Sequence, residues 1–314
     1  MKLDIIIPTY NSQQVLPYVL EALANQEIPS HWQPRVVVSD DGSSQSPEKA
    51  VNEYEWGSPW RSPLVLCSKH AGPAAARNVG VSGSDADVLL LLGADIILRP
   101  GAVFHHCTFH DANPDALQAA LGMIVWDPRL SPTPLVEWMT HGGPQNNFDD
   151  LLGVVEADPA HFFNGSHVSV KRSLLVEHPF PPEYTQYGWE DIDLGRILAA
   201  RGLVLSVLHS ARSLHRHAYT ARDIRLRQGY AGMGAQTYAR RYPDVHIFPE
   251  HSLRRYIKVR MYALPGIRWI LWRLVAYMGR RYSLPRLFLL ATSAGFWWGW
   301  YKGGGRRKST EKAT

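Results

Sequence analysis

The sequence predicts an α/β fold in which a mostly parallel sheet is flanked by helices and followed by a basic, tryptophan-rich helical tail. Over the first 125 residues, short apolar runs alternate with helical patterns, as expected for successive βαβ units. The run Val88–Leu92 is apolar throughout, which is typical of a parallel strand buried on both faces. Residues 252–314 carry 14 Lys and Arg against one acidic residue, Glu311, so they form a segment distinct from the acidic remainder.

Composition restricts the class of protein. With 314 residues, of which 45% are hydrophobic, the chain can bury a large core, which excludes a disordered protein. Cys67 and Cys107 are far apart and offer neither a disulfide framework nor metal-ligand spacing, which favours a reducing compartment. The first apolar stretch ends at Pro8 and is too short for a signal peptide, so a cytoplasmic location is expected.

The spacing of apolar residues assigns the elements in chain order. Strands are expected at residues 3–7, 35–39, 64–67, 88–92 and 203–208. The first helix is expected to be capped by Ser12 and to bury one face formed by Val15, Leu16, Val19, Leu20 and Leu23. A second helix should start at Ser46 and a third after Pro73. Residues 128–158 are rich in Pro, Gly, Asn and Asp and are expected to form a long loop region.

Polar residues follow each of the early strands. Pro8 and Tyr10 follow the first strand, and Asp41 follows the second. Arg77 lies in the segment after the third. Because the carboxyl ends of parallel strands meet at one sheet edge, Tyr10 can stack on a base, Asp41 can accept a base or ribose hydrogen, and Arg77 can neutralise phosphate. Taken singly, each motif is more often a plain turn.

Two acidic clusters are the main candidates for chemistry. Asp95 follows the apolar run 88–92, where ligands bind in open α/β sheets. Glu190 and Asp191 open a later helical pattern. One carboxylate can hold a metal while the other handles a proton. Capping of the helix is the simpler alternative for Glu190 and Asp191.

Six segments, taken in order, resemble the successive blocks of the family 2 glycosyltransferases. They are IIIPTYN, VVVSDDGSS, GPAAARNVG, LLLLGADI, FFNGSHVSVKR and YGWEDIDLGRIL. The resemblance implies a GT-A-type, Rossmann-like catalytic domain over residues 1–245, with residues 246–314 as a membrane-associating helical region. It implies an inverting, metal-dependent hexosyltransferase that uses a nucleotide-sugar donor, expected to be a UDP-sugar. The acceptor would be a hydroxyl of a glycan, lipid-linked or surface-polymer molecule in cell envelope polysaccharide biosynthesis.

The resemblance also implies a role for each candidate residue. Asp191 becomes the catalytic base, and Asp95 becomes the ligand of a Mn²⁺ or Mg²⁺ ion that holds the nucleotide diphosphate. His215 is favoured over His217 as a further metal ligand. The donor contacts would be Pro8, Tyr10, Asp41, Arg77 and Asp95, and the acceptor contacts would be Trp189, Glu190 and Gly165.

One departure from the family pattern keeps two alternatives open. Gly93 stands where the family has the first aspartate of its Asp-x-Asp motif, and the triplet at residues 85–87 precedes its strand and would lie at the wrong end. A nucleotide-sugar-binding protein without catalysis is one alternative. The other is a nucleotidyltransferase, which would not need the base at Asp191.

The tail is expected to bind an anionic membrane surface. It holds five of the 11 tryptophans, whose rings settle at the headgroup level while basic side chains meet phosphates. Its longest uncharged run, residues 287–301, has 15 residues, whereas about 20 cross a bilayer, so a peripheral or monotopic position on the inner face is expected. The alternative is a helix pair packed on the protein. Nucleic acid is not an expected partner, because the acidic remainder would repel it.

Overall fold

The computed structural model describes residues 1–140, 148–247 and 264–305, together with Ile257, Arg260 and Met261. The chain forms two compact units. Unit 1 comprises Met1–Arg129, Phe148–Thr185 and Asp191–His217. Unit 2 comprises Leu130–Asn147, Gln186–Glu190 and Ala218–Thr314. The boundary expected at residues 245 and 246 lies beside undescribed residues and stays a prediction.

Unit 1 is built on a nine-stranded mixed sheet. Its strands are β1 Lys2–Thr9, β2 Gln33–Asp40, β3 Leu64–Cys67, β4 Val88–Leu92, β5 Ile96–Leu98, β6 Gln118–Trp126, β7 Glu156–Ala157, β8 His167–Lys171 and β9 Val204–His215. The order is β3-β2-β1-β4-β8-β6-β9-β5, and β7 pairs with β9. All the strands expected from the sequence are present. The run β3-β2-β1-β4 is parallel, as predicted, whereas β8 joins it antiparallel to both β4 and β6.

The described helices surround this sheet or belong to unit 2. They are α1 Leu16–Ala24, α2 Glu48–Asn52, α3 Pro73–Ser82, α4 Ala102–Ala112, α5 Pro134–Thr140, α6 Pro159–Phe162, α7 Arg172–Glu177, α8 Glu190–Ala199, α9 Ala221–Arg241, α10 Pro265–Met278 and α11 Pro285–Gly305. Two 3₁₀ turns lie at Pro128–Leu130 and Phe148–Leu151. The two predicted helices are present, but their starts are shifted: the second begins at Glu48 rather than at Ser46, and the third begins at Pro73 itself rather than after it.

The cap predicted for α1 is wrong. The helix begins at Leu16 after Val15, because the carbonyl oxygen of Ser12 accepts hydrogen bonds from the amides of Val15 and Leu16 in a preceding turn. The predicted apolar face is confirmed from Leu16 onward, since four of its side chains are buried: Leu16, Val19, Leu20 and Leu23. This face packs into the core formed with β1, β2 and β4. Periodicity therefore identified the buried face more reliably than the boundary.

The loop expected at residues 128–158 contains more structure than predicted. Residues 134–140 form α5, which starts at a proline and buries Leu135, Val136 and Met139. Proline in the first turn is compatible with a helix because its missing N–H would have no intrahelical partner there. Residues 141–147 lie outside the described set. Because this segment is rich in turn-forming residues, its composition did not indicate the short amphipathic helix that it contains.

The acidic triplet at residues 85–87 lies at the amino end of the sheet, as expected. The backbone amide of Lys2, the first residue of β1, donates to Asp87 at 2.8 Å. Asp85 forms ion pairs with Lys2, Arg35 and Arg61. Hydrogen bonds from Lys2 and Arg61 hold the pKa of Asp85 well below its usual range. Asp85 is engaged by cations and Asp87 by a backbone amide, so this cluster is structural.

In unit 2, the helices of the tail pack on α9. Gly232 of α9 lies so close to α11 that an added Cβ would be 1.9 Å from the carbonyl oxygen of Phe296. Gly299 of α11 approaches Gly229 in the same way, so glycines on both helices permit the contact. None of the described helices combines the length and apolar character needed to cross a membrane. On their inner faces, the tail helices pack against α9, which agrees with the alternative of a helix pair packed on the protein.

Candidate active site

The carboxyl ends of β1 and β2 carry an exposed aromatic pair. Pro8 lies within β1 opposite Ser39 of β2. Tyr10, just beyond β1, is half exposed and stacks on His70, with ring centroids 4.3 Å apart and planes inclined by 24°. Stacked aromatic rings offer a flat face to a planar ligand. His70 was not identified from the sequence, although it lies two residues before the segment GPAAARNVG.

Asp41 organises the loop that brings His70 to this position. Its buried carboxylate accepts hydrogen bonds from the backbone amides of Ala71 and Gly72 at 2.8 and 2.9 Å. The imidazole Nδ1 of His70 lies 2.8 Å from the same carboxylate. A carboxylate has about four lone-pair positions, so these contacts leave capacity for a ligand donor. The ribose or base contact of Asp41 stays a prediction.

Asp95 lies between β4 and β5 with two histidines directed at it. Its Oδ2 is 3.2 Å from Nε2 of His215 and 3.2 Å from Nδ1 of His217. The backbone amide of Arg216 donates to the carbonyl oxygen of Asp95 at 2.8 Å, which fixes the end of β9 against this loop. Burial alone would raise the pKa of Asp95, but the two imidazoles outweigh it and hold the pKa well below its usual range.

The donor set around Asp95 is incomplete as a metal site. Within the described residues, no group of three or more His, Cys, Asp and Glu side chains is arranged to hold a metal ion. Asp95, His215 and His217 offer one carboxylate and two imidazoles, whereas Mg²⁺ and Mn²⁺ prefer carboxylate, carbonyl and water oxygens. These residues therefore fit a cation only if another molecule supplies further oxygen ligands.

The glycine that departs from the family pattern occupies a crowded position. An added Cβ on Gly93 would lie 2.8 Å from a side-chain carbon of Ile96 and 3.1 Å from Oδ1 of Asp95. A larger residue would therefore have to displace the Asp95 carboxylate or its neighbour.

Asp191, the predicted base, lies beside Arg77. Nη1 of Arg77 is 3.7 Å from Oδ1 of Asp191. Arg77 is only 4% exposed, and its guanidinium lies over the ring of Phe180 at 5.2 Å. Asn78 exchanges two hydrogen bonds with the backbone of Phe180, so the middle of α3, which carries Arg77, is fixed. The contact makes Arg77 a positioning partner of Asp191, and its phosphate role stays a prediction.

Gly165 completes this cluster because it has no side chain. An added Cβ would lie 2.8 Å from both Nε of Arg77 and Oδ1 of Asp191. The adjacent Ser166 accepts a hydrogen bond at its carbonyl oxygen from the amide of Gly93, at 3.0 Å. Residues 165 and 166 precede β8, and the antiparallel pairing of β8 with β4 places them beside the loop that carries Asp95. Asp95 and Asp191 therefore lie at the same edge of the sheet in unit 1.

Trp189 and Glu190 belong to unit 2. Trp189 has φ +77°, a left-handed conformation that is rare for a bulky residue and marks a strained backbone. Its ring packs on Tyr238, and an added Cβ on Gly234 would lie 2.9 Å from Trp189. The buried Glu190 carboxylate accepts a hydrogen bond from the amide of Gly188 at 2.8 Å. Their acceptor roles stay predictions.

Asp127 and His167, both in unit 1, hold neighbouring side chains in place. Asp127 is fully buried and forms ion pairs with Arg129 and Arg216. A hydrogen bond from Arg129 lowers the pKa of Asp127 to about 2. Arg216 is thus held by Asp127, and it also lies over the ring of Tyr18 at 4.2 Å. His167 is buried, and its Nδ1 lies 3.0 Å from the hydroxyl oxygen of Ser213.

Sequence comparison identifies relatives of this chain. The family described as Glycosyl transferase family 2 matches residues 4–175. The O-antigen chain rhamnosyltransferase RfbN of Salmonella typhimurium is 26% identical over 230 residues, covering 71% of this chain and 69% of that protein. The validoxylamine A glucosyltransferase of Streptomyces hygroscopicus subsp. limoneus is 29% identical over 230 residues, covering 65% of this chain and 49% of that protein. The chain thus spans about half the length of the second relative.

Solved structures share the fold. The mannosyltransferase PcManGT from Pyrobaculum calidifontis, in complex with GDP-Man and Mn²⁺, matches with a TM-score of 0.55 at 18% identity, covering 99% of this chain and 88% of that chain. S. aureus TarS 1-349 in complex with UDP matches with a TM-score of 0.54 at 16% identity, covering 97% and 92%. The predicted GT-A-type α/β fold is confirmed. Because the family match covers more than half of the sequence, this chain belongs to glycosyl transferase family 2.

Proposed function

We propose that this family 2 glycosyltransferase is an inverting, metal-dependent enzyme. It moves a sugar from a nucleoside diphosphate donor to a hydroxyl of a glycan, lipid-linked or surface-polymer acceptor. The observation that carries the proposal is the Asp191 carboxylate, which lies against Arg77 and the bare backbone of Gly165 at the edge of the sheet that also holds Asp95. This arrangement supports Asp191 as the proton acceptor, with Arg77 and Asp95 as the residues that face the donor diphosphate in this proposal.

Asp191 performs the proton transfer in this proposal. The incoming acceptor hydroxyl loses its proton to the carboxylate while the oxygen attacks the anomeric carbon, and the bond to the diphosphate breaks on the opposite face. A single displacement inverts the configuration at that carbon. Asp191 lies in the first turn of α8, whose backbone amides stabilise a negative charge. Arg77 orients the carboxylate through their ion pair.

The nucleotide end of the donor is assigned to the edge formed by β1 and β2. Tyr10 and His70 provide a stacking surface for a base, and the loop beyond Asp41 borders it. Solved relatives of the fold are complexes with UDP and with GDP-Man, which supports a nucleoside diphosphate sugar as donor. We assign a UDP-sugar to this chain. The two alternatives, a nucleotidyltransferase and an inactive binding protein, need no base at Asp191, so sugar transfer that depends on Asp191 distinguishes the proposed enzyme from both.

A divalent cation is assigned to Asp95, with His215 as the further ligand. Mn²⁺ or Mg²⁺ bound there, together with diphosphate oxygens, would offset the negative charge that develops on the leaving group. The imidazole of His217 lies at the same distance from Asp95, so it is an alternative to His215. The structure of PcManGT was solved with Mn²⁺, which supports this assignment.

The tail is assigned to the inner face of the cell membrane. In α10, the outward side chains include Trp269, Ile270, Leu274 and Tyr277, all of them exposed. The helix carries basic residues and no acidic residue. Exposed apolar side chains beside arginines suit an anionic lipid surface. A catalytic unit held there would act on an acceptor of cell envelope polysaccharide synthesis, as the name of the Salmonella relative suggests.

Release of nucleoside diphosphate from a panel of nucleotide sugars tests the proposal. We expect a UDP-sugar to be hydrolysed or transferred in the presence of Mn²⁺, and Asp95→Asn to abolish the Mn²⁺-dependent part of donor binding measured by calorimetry. Asp149→Asn, an exposed carboxylate in a 3₁₀ turn, is the matched control and should leave it unchanged. Nucleotide binding without turnover would instead support the inactive binding protein. An unaltered Mn²⁺ titration of Asp95→Asn would reject the metal assignment.

Gly165→Ala should impair transfer without unfolding the protein. Its new methyl group would contact Arg77 and Asp191 at 2.8 Å and displace the base. Misplacement of a catalytic group by about 1 Å costs up to about 100-fold in rate, so we expect kcat to fall by about 10- to 100-fold. Gly57→Ala, which meets no atom within 4 Å, is the control. Wild-type kcat in Gly165→Ala would show that the cluster is not catalytic.

A further inference from the structure

Unit 2 contains a cavity of about 400 Å³ that includes none of the site residues described above. Its walls come from the first turns of α9 and from α10, and its polar and aromatic lining consists of Arg222, Arg225, Arg268, Trp269, Trp272 and Arg273. A volume of this size is typical of sites for small molecules. No acidic side chain is among the described residues that line it. Four arginines without a lining carboxylate make the cavity strongly attractive to an anion.

Two buried donors at this cavity have no hydrogen-bond partner within the described part of the chain. Trp272 is 5% exposed, and its indole Nε1–H is one of them. The other is Nε of Arg268, whose guanidinium lies over the ring of Trp298 at 4.1 Å. Buried donors in folded proteins are almost always paired. Two such donors beside one basic cavity therefore indicate that another molecule supplies the acceptor.

The charge around Arg268 supports an anionic ligand. Burial, together with the positive charge of Arg225, lowers the pKa of Arg268. A bound anion would relieve the repulsion between these two guanidinium groups. Arginine presents paired N–H donors that match the oxygens of a phosphate group.

The surface beside the cavity is apolar. Trp269 and Arg273 line the cavity, and the next residues along α10, Ile270 and Leu274, are exposed. Tyr277 continues this stripe by helical spacing and is 85% exposed. A ligand held by its anionic end could thus extend an apolar chain over Ile270, Leu274 and Tyr277.

We propose that this cavity binds the phosphate monoester group of an amphiphile whose apolar chain lies along the exposed stripe of α10. Free phosphate shares the headgroup chemistry but would not use the stripe. The inference extends the proposed membrane association by naming a specific ligand and site. It does not require the proposed glycosyl transfer.

Calorimetry with the full chain tests the site. We expect dihexanoyl phosphatidic acid, below its micelle concentration, to bind about tenfold more tightly than inorganic phosphate, and dihexanoyl phosphatidylcholine not to bind. The difference corresponds to about 1.4 kcal/mol from the apolar chain. Equal affinity for phosphatidic acid and inorganic phosphate would contradict the proposal that the ligand is an amphiphile. Binding of dihexanoyl phosphatidylcholine with the same affinity as phosphatidic acid would contradict recognition of the phosphate group by the arginines.

Variants locate the binding. Arg222→Gln and Arg268→Gln should each weaken binding of phosphatidic acid by about tenfold, since each removes a charge-assisted contact. Arg222 is exposed, so its substitution should leave the fold intact even if Arg268→Gln does not. Arg281→Gln, also exposed but outside the cavity lining, is the control. Wild-type affinity in Arg222→Gln would overturn the site. Nucleotide release from a UDP-sugar without lipid, measured in parallel, distinguishes failure of the proposed transferase from failure of this site.

Discussion

Asp191→Asn is expected to abolish sugar transfer while nucleotide binding persists. The amide has nearly the same shape as the carboxylate but cannot accept the proton of the acceptor hydroxyl at neutral pH. General-base catalysis contributes about 100- to 10,000-fold, so we expect a loss of kcat in that range. The measurement is the initial rate of transfer at saturating donor, with nucleotide affinity determined by calorimetry.

The control for this result is Asp149→Asn, which makes the same chemical change at an exposed position. It should retain the wild-type rate. Circular dichroism and the melting temperature of both variants should match the wild type, because asparagine nearly preserves the size and shape of aspartate at each position. Turnover of Asp191→Asn at more than about a tenth of the wild-type rate would place the base elsewhere.

The second large effect is a loss of stability in mild acid. A buried hydrogen-bonded cluster lies between α4 and strands β8 and β9 in unit 1. His106 contacts Ser169 at 2.8 Å and His167 at 3.2 Å, and His110 contacts Ser169 at 2.9 Å. Lys171 lies 3.0 Å from His110, so a protonated imidazole would face a cation. The cluster is therefore compatible with neutral histidines only.

The direction of the pH effect follows from the folded and unfolded pKa values. Burial lowers the pKa of His110 and of His167 to about 3 and also lowers the pKa of His106. The unfolded chain, with a histidine pKa of about 6.5, therefore binds more protons as the pH falls between 6.5 and 3. The contribution of these histidines to the free energy of unfolding is therefore fully present above pH 6.5 and decreases below it. For His110 and His167 together, the linkage predicts a loss of about 4 kcal/mol at pH 5.

Urea unfolding at pH 7.5, 6 and 5 measures this loss. In the double variant His110→Gln and His167→Gln, the stability should be lower at pH 7.5, but its decrease toward pH 5 should be much smaller, because glutamine does not titrate. His161→Gln is the control, since that side chain is 75% exposed. An equal decrease in wild type and double variant would show that other groups determine the acid sensitivity.

The positions of the two candidate carboxylates show what sequence reasoning could predict. Asp95 was expected at the sheet edge because an apolar run of five residues predicts a buried strand, and a carboxylate just beyond it lies at that edge. Asp191 was selected because its segment resembles a family block, and its role stays a prediction. His70 and Asp127 were missed because neither lies in a recognised block. Their roles arise from contacts with residues 41 and 216, which are distant in the sequence.

The sequence by itself determined the parallel strands β1 to β4, the buried face of α1 and the identity of the two acidic clusters, because these depend on local periodicity and short motifs. Only the tertiary structure decided that β8 pairs antiparallel with β4 and so brings Gly165 between Arg77 and Asp191. It also decided that the histidines at 106, 110 and 167 share one buried network. The hydrogen bonds of this network join residues 59 or more positions apart, and such pairings are fixed by packing of the whole sheet rather than by any pattern along the chain.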